Sequence, residues 1–287
     1  MTDDLFVIHR SLLFTVAYEM LGSAADAEDV VQETWMKWAG VNASEVLDAR
    51  AYLVRIVTRL SLNHLRAATR RREDYIGEWL PEPLLTGPDA GTDLELAESV
   101  SFAMLTVLET LAPVERAVFV LREVFDTPYD EIARAVDKSP AAVRQIAHRA
   151  REHVTARRPR MQVDPDEQAV VVEKFLTAVS TGDLQGLLEV LAPDVVAIAD
   201  GGGIVRAARK PIVGAEVLAS LLVRFANIPG FTVTRVDVNA MPGLRIEAAG
   251  ATVVGAVAVE DGRITHIYGI SNPHKLGRMG SVVELRR

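Results

Sequence analysis

Apolar residues recur every three or four positions through most of the first 160 residues, and this spacing predicts helices. The first predicted helix begins near Leu5 and ends at Gly22-Ser23, since glycine commonly ends a helix. A second follows to Trp38, and its predicted inward stripe consists of Ala27, Val30, Val31, Thr34, Trp35 and Trp38. A third, long helix is predicted from Ala49 to Arg72.

Polar residues on the second and third helices are separated by charge. The second helix carries an acidic stripe, which taken alone is typical of a solvated face. On the third, cationic and amide side chains follow at intervals of three or four: Arg55, Arg59, Asn63, Arg66 and Arg70. Like charges at this spacing repel each other, which costs about 0.2–0.5 kcal/mol per pair. A polyanion would relieve that repulsion, so phosphate contact is favoured over a helix that arginine merely keeps soluble.

The segment from Pro128 to Val154 has the pattern of two short helices joined by a tight turn. Ser139 is predicted at the N-cap of the second helix and Pro140 at its first position. That helix has an inward stripe of Val143, Ile146, Ala147, Ala150 and Val154 and an outward stripe of Arg144, Gln145, His148 and Arg151. Because arginine and glutamine pair bidentately with base edges, the pattern favours a DNA-binding helix. A solvated helical hairpin is the alternative.

Between Glu73 and Glu98 the composition becomes acidic, with several prolines and glycines and no basic residue, which predicts an extended linker. Within it lies Trp79-Leu80-Pro81-Glu82-Pro83-Leu84. Large apolar residues in a proline-stiffened linker predict docking on another surface. A loop folded onto its own domain is an equal alternative. Helical periodicity returns at Ala97, with one break predicted at Ala112-Pro113.

From Asp164 onward the pattern changes from helices to strands. Two amphipathic helices precede an apolar strand that leads into Asp200, and one further helix precedes a run of alternating strands. Their segments are FTVTRVDVNAM, LRIEAAG, ATVVGAVAVED and RITHIYGIS. Helices followed by a curved antiparallel sheet predict an α+β cone.

Composition narrows the classes of function. The 287 residues are enough for two domains or slightly more, and they include no cysteine, which excludes disulfides and thiolate metal sites. No apolar run approaches a membrane span and the first residues lack a secretory pattern, so no membrane association and a cytoplasmic location are expected. The net charge of −8 requires any nucleic-acid contact to come from local basic patches, Arg55 to Arg72 and Arg144 to Arg160.

Three motifs together resemble a known family. ADAEDVVQETW, RIVTRLSLNHLR and the helix-turn-helix come in the order and approximate spacing of bacterial sigma factors, in particular the extracytoplasmic-function group of the sigma-70 family. The resemblance implies a multidomain chain with two all-α sigma domains. Their expected bounds are residues 1–72 for region 2, 73–98 for the acidic linker and 99–160 for the region 4 helix-turn-helix.

The resemblance also implies partners and roles. The expected partners are core RNA polymerase and promoter DNA, and no catalytic residue, cofactor or metal is expected. Polymerase-binding candidates are Asp26, Glu28, Asp29, Gln32 and Glu33. Candidates for the minus-ten element are Arg55, Arg59, Asn63 and Arg66, together with the preceding loop from Val41 to Asp48. Asn63 stands where the family has an aspartate. Candidates for the minus-thirty-five element are Ser139, Ala142, Arg144, Gln145, His148 and Arg149.

The last part, residues 164–287, resembles the SnoaL-like, nuclear-transport-factor-type fold that one sigma-factor subgroup carries as an extension. Motifs of that subgroup predict contacts between the halves by Trp79, Leu80, Pro81, Asp200, Gly201, Gly202, Asn272, Pro273, Lys275 and Leu276. His274 stands where relatives often have an acidic residue. The expected role of this cone is regulation of the sigma domains in cis. An alternative places the acidic linker in the RNA exit path of polymerase.

Two other functions remain open from the residues alone. Cone folds often enclose a pocket, and some are isomerases or cyclases, for which Asp200, His266 and Tyr268 are the candidates. A lone histidine in a strand is more often hydrogen-bonded structure than a general base, and fold alone does not establish function. The other alternative is a self-sufficient helix-turn-helix regulator whose cone binds an unknown small ligand.

Overall fold

The computed structural model describes residues 2–42, 45–73, 75–87, 93–157, 165–277 and 279–287. Four parts follow one another along the chain: a helical bundle (2–73), a linker (75–93), a helix-turn-helix domain (94–157) and a cone (165–287). The predicted fold class, two helical domains followed by an α+β domain, is confirmed. Within the described part of the chain, no helix combines the length and the apolar composition that a membrane span requires.

The helical bundle consists of α1 (Thr2–Leu21), α2 (Ala24–Ala39) and α3 (Ala49–Glu73). Gly22 has a φ of +66°, which allows the chain to reverse between α1 and α2. Ser23 caps α2, since its side chain accepts a hydrogen bond from the Asp26 amide. The predicted inward position of Trp35 is wrong, because its side chain is 44% exposed. The face toward α1 and α3 is taken by Thr34 and Trp38, and Trp35 lies about 100° around the helix from Thr34.

The helix-turn-helix domain has more breaks than its periodicity predicts. Its helices are α4 (Leu94–Val100), α5 (Phe102–Leu108), α6 (Pro113–Phe119), α7 (Tyr129–Val136) and α8 (Pro140–Thr155), and α6 continues as a π-helical turn over Val120–Val124. Helix α4 begins inside the segment that composition assigned to the linker. Ser101 ends α4 and caps α5 by accepting from the Met104 amide, as serine does when its side chain competes for backbone groups. The predicted cap at Ser139 is present.

In the cone, α9 (Pro165–Thr181), α10 (Leu184–Val190) and α11 (Ala215–Ala226) cover one sheet, and α12 (Pro273–Leu276) follows it. Its strands are β1 (Leu191–Asp200), β2 (Ile212–Val213), β3 (Thr232–Val238), β4 (Met241–Ala248), β5 (Ala251–Glu260) and β6 (Arg263–Ile270), in the order β2-β1-β6-β5-β4-β3. The sheet is antiparallel, as predicted, except at one pair: β1 and β6 run parallel. These two strands are far apart in the sequence, so no hairpin turn constrains them to be antiparallel.

The sheet is apolar on both faces. Val257 and Val259 of β5 pack with the three cone helices on the inner face. Ala256 and Ala258 belong to the outer face, which packs against Leu80 of the linker and Phe102 of α5. Such continuous apolar strands are typical of sheets covered on both sides. The rest of the chain therefore covers the outer face of the cone.

The helical bundle and the helix-turn-helix domain share one apolar core. It includes Leu13 of α1 and Leu53 of α3, and also Leu105, Val118 and Ile132 of the helix-turn-helix domain, all with no exposed surface. The burial of such side chains stabilises the contact by about 1.5–3 kcal/mol each. The two helical domains are thus held together in this structure, because side chains from both pack into one continuous apolar cluster.

Candidate nucleic-acid interface and its junction with the cone

The acidic surface of α2 is partly exposed. Asp29 and Gln32 are exposed, whereas Asp26, Glu28 and Glu33 are half-buried. Arg10 forms an ion pair with Glu28 at 2.6 Å, and His64 of α3 lies 3.3 Å from a Glu33 carboxylate oxygen. Asp29 is therefore the most accessible carboxylate of the predicted polymerase-binding set.

Two apolar side chains extend this surface. Trp35 and Met36 are 44% and 56% exposed, on the same helix as Gln32 and Glu33. Large exposed apolar residues beside polar ones mark surfaces that bind partners. The sequence reasoning missed this apolar pair because it assigned Trp35 to the core, and Trp35 lies at the edge of the apolar stripe, where helical spacing alone does not decide between inward and outward.

The polar face of α3 is not uniformly free. Asn63 and Arg66 are exposed, and the Arg55 guanidinium lies 5.0 Å from the centre of the Tyr52 ring. Arg59, by contrast, donates hydrogen bonds to the carbonyl oxygens of Arg134 at 2.8 Å and Ala135 at 3.3 Å. These carbonyls end helix α7, where the helix dipole is negative. The Arg59 guanidinium, predicted to contact minus-ten DNA, is therefore bound to the helix-turn-helix domain instead.

A groove of about 360 Å³ lies beside this contact. Leu47, Tyr52 and Arg55 of the helical bundle line it together with Glu131 and Arg134 of α7. Tyr52 supplies the aromatic surface that the sequence between Val41 and Asp48 lacks, although Ala43 and Ser44 of that loop lie outside the described residues. The side chains of residues 68–73, Arg70 among them, also lie outside them.

Helix α8 presents most of the minus-thirty-five candidates to solvent. Arg144, Gln145, His148 and Arg149 are exposed. Ser139 is exposed and its hydroxyl accepts from the half-buried Ala142, so its role in the structure is that of a cap. Arg144 lies 5.6 Å from the Tyr129 ring centre, and Arg151 forms a paired hydrogen bond with Glu123 at 2.7 and 3.0 Å. Arg158 and Arg160 lie outside the described residues.

The interdomain candidates meet at Asp200, which has no exposed surface. One carboxylate oxygen accepts from the Tyr75 hydroxyl at 2.6 Å and the Gly202 amide at 3.0 Å. The other accepts from the Leu80 amide at 2.9 Å and the Lys275 ammonium at 2.7 Å. The carboxylate therefore joins the linker to the loop that follows β1 and to α12 of the cone. Burial, together with the hydrogen bond to this carboxylate, raises the pKa of Tyr75.

The glycine and asparagine motifs pack against each other at this point. Gly202 has a φ of +64°, and a Cβ there would overlap the Asn272 side-chain amide. A Cβ on Gly201 would overlap the carbonyl oxygen of Val205. Asn272 donates to the Tyr75 hydroxyl at 2.9 Å and caps α12, where Pro273 is the first, exposed residue. Both glycines are thus needed for close approach.

Aromatic and apolar residues complete the junction. The Lys275 ammonium lies 4.2 Å from the Trp79 ring centre and 5.1 Å from that of Tyr75, within cation–π range. Leu80 is fully buried, Pro81 is buried, and Leu276 packs on the outer-face cluster of the cone. The predicted docking of the linker is therefore present.

The linker also contacts the helical bundle. Glu82 accepts hydrogen bonds from the Ala25 amide at 3.1 Å and the Ser23 hydroxyl at 3.2 Å, at the N-terminal end of α2. A carboxylate in that position is favoured by the helix dipole. The Tyr18 hydroxyl donates to the Glu82 carbonyl at 2.7 Å. The linker therefore lies between the bundle and the cone and bonds to both.

Three further groups contact several parts of the chain, and the sequence reasoning missed them. Arg116 of α6 is buried and donates to the Glu19 carbonyl of α1 at 2.9 Å. Asn239 is buried at the turn between β3 and β4. Residues 279–287, named here the C-terminal segment, return to the bundle: the Val283 amide donates to Leu85 and the Arg286 amide to Thr15. No local pattern marks long-range contacts of this kind.

The three residues considered for catalysis do not form an acid–base site. Asp200 accepts four hydrogen bonds at the junction, as described above. Tyr268 is buried with its ring stacked 5.7 Å from that of Phe102, and His266 stacks on Tyr268 at 6.1 Å. Burial lowers the pKa of His266 and raises that of Tyr268. The outer face on which they lie is covered by α5, so they serve packing.

Family models match two parts of the chain. The model described as Sigma-70 region 2 matches residues 5–71, and the model described as Sigma-70, region 4 matches residues 101–154. The first match covers the helical bundle and the second covers α5 to α8 almost entirely.

Individual relatives match nearly the whole length. The ECF RNA polymerase sigma factor SigJ of Mycobacterium tuberculosis is 36% identical, over 97% of this chain and 93% of the relative. The probable ECF RNA polymerase sigma factor SigI of the same species is 34% identical, over 93% of this chain and 92% of the relative. The crystal structure of M. tuberculosis SigJ superposes with a TM-score of 0.77 at 32% identity, covering 99% of this chain and all of that one.

Proposed function

The chain belongs to the extracytoplasmic-function sigma factors of RNA polymerase, and from that premise we propose that its cone holds the two sigma domains in a closed arrangement that cannot contact both promoter elements at once. As a sigma factor, the protein directs promoter-specific transcription initiation with core RNA polymerase and is not an enzyme. A cytoplasmic location is proposed with it, since the partners of such a factor are core RNA polymerase and promoter DNA. What is proposed concerns which residues make these contacts and how the cone regulates them.

The acidic face of α2 is the proposed polymerase-binding surface, made of Asp26, Glu28, Asp29, Gln32 and Glu33. Exposure of Asp29 and Gln32 supports this, as do the neighbouring Trp35 and Met36, which would be buried in a complex. Charged rims and aromatic anchors are the usual parts of such interfaces.

A charge reversal tests this surface. Asp29→Lys is expected to weaken binding to purified core polymerase at least tenfold, because an exposed carboxylate is replaced by the opposite charge. The matched control is Glu173→Lys on exposed α9 of the cone, which makes the same charge change elsewhere. Equal binding by the two variants, measured by fluorescence anisotropy, would remove α2 from the proposal.

The proposed DNA contacts lie on two helices. Arg55, Arg59, Asn63 and Arg66 of α3, with the groove that Tyr52 and Leu47 line, suit an unpaired minus-ten strand, since phosphates need cations and bases need a stacking surface. Arg144, Gln145, His148 and Arg149 of α8 suit the major groove of the minus-thirty-five duplex.

The single observation that carries the closed arrangement is the hydrogen bond from Arg59 to the end of α7. Elements at minus ten and minus thirty-five lie about 25 base pairs apart, or roughly 85 Å at 3.4 Å per base pair. A compact unit of the size of the two helical domains has a radius of gyration of about 15 Å and so a diameter of roughly 40 Å. The two domains must therefore separate to contact both elements at once.

The junction at Asp200 supports the cone as the part that keeps them closed. It ties the linker, whose length must become available for separation, to the sheet of the cone by two hydrogen bonds from Tyr75 and Leu80. An undocked linker would let the domains move apart. The cone thereby acts in cis as a regulator, and the strength of its hold on the linker sets the fraction of chains able to initiate.

Asp200→Asn tests this role in run-off transcription with core polymerase on a cognate promoter. The amide keeps the shape of the side chain but removes the charge that pairs with Lys275 and one acceptor, so transcripts per sigma factor are expected to increase severalfold. Asp261→Asn at the exposed turn between β5 and β6 is the matched control. If both variants transcribe like the unchanged protein, the cone does not regulate in this way.

A further inference from the structure

The tip of the β3–β4 hairpin is buried, whereas hairpin tips usually face water. Asn239 and Ala240 form its two-residue turn with φ values of +55° and +54°, and Asn239 has no exposed surface. Asparagine adopts this left-handed conformation more readily than most residues. The residue type therefore suits the turn and at the same time places a side-chain amide among the other parts of the chain.

That amide bonds to three separate segments. Its nitrogen donates to the Tyr18 hydroxyl of α1 at 2.6 Å and to the Val100 carbonyl at the end of α4 at 2.8 Å. Its oxygen accepts from the Leu84 amide of the linker at 2.8 Å. The Asn239 backbone amide also donates to the Leu84 carbonyl at 2.9 Å. One side chain of the cone thus bonds to the helical bundle, the linker and the helix-turn-helix domain.

The arrangement is sensitive to the position of all three segments. Both amide hydrogens and the carbonyl oxygen are used, and the partners are themselves buried. A buried polar group that loses its partner costs more than the bond contributed while it was formed. Withdrawal of any one segment would leave an amide hydrogen or the carbonyl oxygen of Asn239 unpaired in an environment without water. Each contact is therefore more stable when the other two are formed.

We infer that Asn239 is the positioning residue through which the cone recognises the closed arrangement as a whole. The contrast with Asp200 is specific: Asp200 joins the cone only to the linker and to itself, whereas Asn239 reaches both helical domains. The inference rests on the proposed closed arrangement and adds the residue that makes attachment of the cone depend on all three segments being together.

Distances between spin labels test it on the full chain. The sequence has no cysteine, so cysteines introduced at exposed Lys37 of α2 and exposed Val217 of α11 can be labelled specifically. Asn239→Gly tolerates the positive φ and removes the side chain, and with it the amide that makes the three contacts. The population with long bundle-to-cone distances is expected to rise about tenfold or more, since buried partners are left unsatisfied.

Two further variants decide between outcomes. Ala249→Gly makes a similar backbone change at the exposed β4–β5 turn, where φ is +49°, and is expected to match the unchanged protein. Tyr18→Phe removes the acceptor of the Asn239 amide on the bundle side, together with the Tyr18 bond to the Glu82 carbonyl, and leaves the hairpin unaltered. It is expected to shift distances in the same direction as Asn239→Gly, and an unchanged distribution in this variant would also overturn the inference. An unchanged distribution in Asn239→Gly, or equal opening in Ala249→Gly, overturns the inference. If Asn239→Gly does not fold, the distance distribution of Tyr18→Phe decides instead, and an unchanged distribution overturns the inference.

Run-off transcription on the same variants separates this inference from the proposed function. Opening without any change in transcript yield overturns regulation by the cone and leaves the role of Asn239 intact. A closed distribution in Asn239→Gly overturns its role, and regulation is then judged by Asp200→Asn alone.

Discussion

At Gly22 the helical bundle, the linker and the helix-turn-helix domain come within contact distance of one backbone position. A Cβ there would lie 2.8 Å from the Trp79 ring, 3.2 Å from a Glu109 carboxylate oxygen and 3.6 Å from the Arg116 guanidinium. A side chain at this turn would push the linker and the helix-turn-helix domain away together. Glycine is therefore required here by packing as well as by its φ of +66°.

A positive φ alone costs an alanine about 1 kcal/mol. Gly22→Ala is expected to lower the free energy of unfolding by more than this amount, because the added Cβ also meets the Trp79 ring. The measurement is urea unfolding followed by circular dichroism. Gly230→Ala is the control, because Gly230 has a φ of +74° with nothing within 4 Å of the added Cβ. Equal losses in the two variants would mean that the close approach of Trp79 has no energetic consequence.

Glu19 is an ionisable group buried between the domains. Its carboxylate accepts from the Ser99 hydroxyl at 2.7 Å, and burial raises its pKa from 4.5 to about 8 in spite of Ser99 and Arg116. Burial also lowers the pKa of Arg116 to about 9. Below pH 4.5 Glu19 is protonated in folded and unfolded chains alike. As the pH rises to about 8 the unfolded chain alone loses the proton, so the stability from this group is lost across that window.

The unfolding temperature of the unchanged protein is therefore expected to fall between pH 6 and pH 8.5 relative to that of Glu19→Gln, whose amide does not titrate. Differential scanning calorimetry of both proteins at each pH checks this, and the difference between them removes the contribution of other titrating groups. Parallel curves would contradict a raised pKa at Glu19. Arg116 does not reverse this fall in unfolding temperature. Its lowered pKa increases the stability of the folded chain with pH only above about pH 9.

Among the elements, those set by local chemistry were predictable. The Ser139-Pro140 start of α8 and the Gly22-Ser23 turn follow from capping and φ preferences that act within a few residues. The candidate face of α8 was equally predictable, because helical periodicity alone places Arg144 and Gln145 outward.

Elements set by distant contacts were not predictable in the same way. The parallel β1–β6 pair, the break at Ser101 and the outward turn of Trp35 depend on which neighbour each residue meets across the fold. Asn239 lacks the Asn-Gly pattern that usually marks a two-residue hairpin, since alanine follows it. The junction motifs were found through a family resemblance, and spacing alone would have placed none of their contacts.

The linker behaves as a packed element although it has no regular secondary structure. Leu80 is fully buried in the outer-face cluster with Phe102 and Tyr268. Leu80→Ala is expected to cost about 2–5 kcal/mol in urea unfolding, the range for a buried leucine. Leu94→Ala, at a side chain that is 72% exposed, should change it by less than about 0.5 kcal/mol.

The same pair of variants tests whether the linker is released. Limited proteolysis should cut Leu80→Ala within residues 75–87 faster than the unchanged protein, because the bonds to Asp200 and Asn239 depend on the docked backbone. If the linker is cut no faster while the free energy of unfolding falls, Leu80 stabilises the cone but does not keep the linker docked.

For the whole molecule, the proposed closure would rest on contacts that join the cone to both helical domains, and the C-terminal segment supplies several of them. From the cone it reaches Leu85 through the Val283 amide at 2.9 Å and Thr15 of α1 through the Arg286 amide at 3.1 Å. Arg287 forms ion pairs with Asp93 at 2.8 Å and with Glu95 at the start of α4. Val283 and Leu285 pack against the core that the two helical domains share.

Removal of residues 279–287 is therefore expected to increase the radius of gyration in small-angle X-ray scattering and the run-off transcript yield together. The apolar and backbone contacts carry this effect, because exposed ion pairs contribute only about 0–1 kcal/mol each. Arg287→Ala, which removes the ion pairs and keeps the rest, should consequently leave both measurements nearly unchanged. If the truncated chain stays as small as the full chain while transcribing more, the C-terminal segment acts by covering a surface that polymerase needs. If it expands without transcribing more, closure of the chain does not limit initiation.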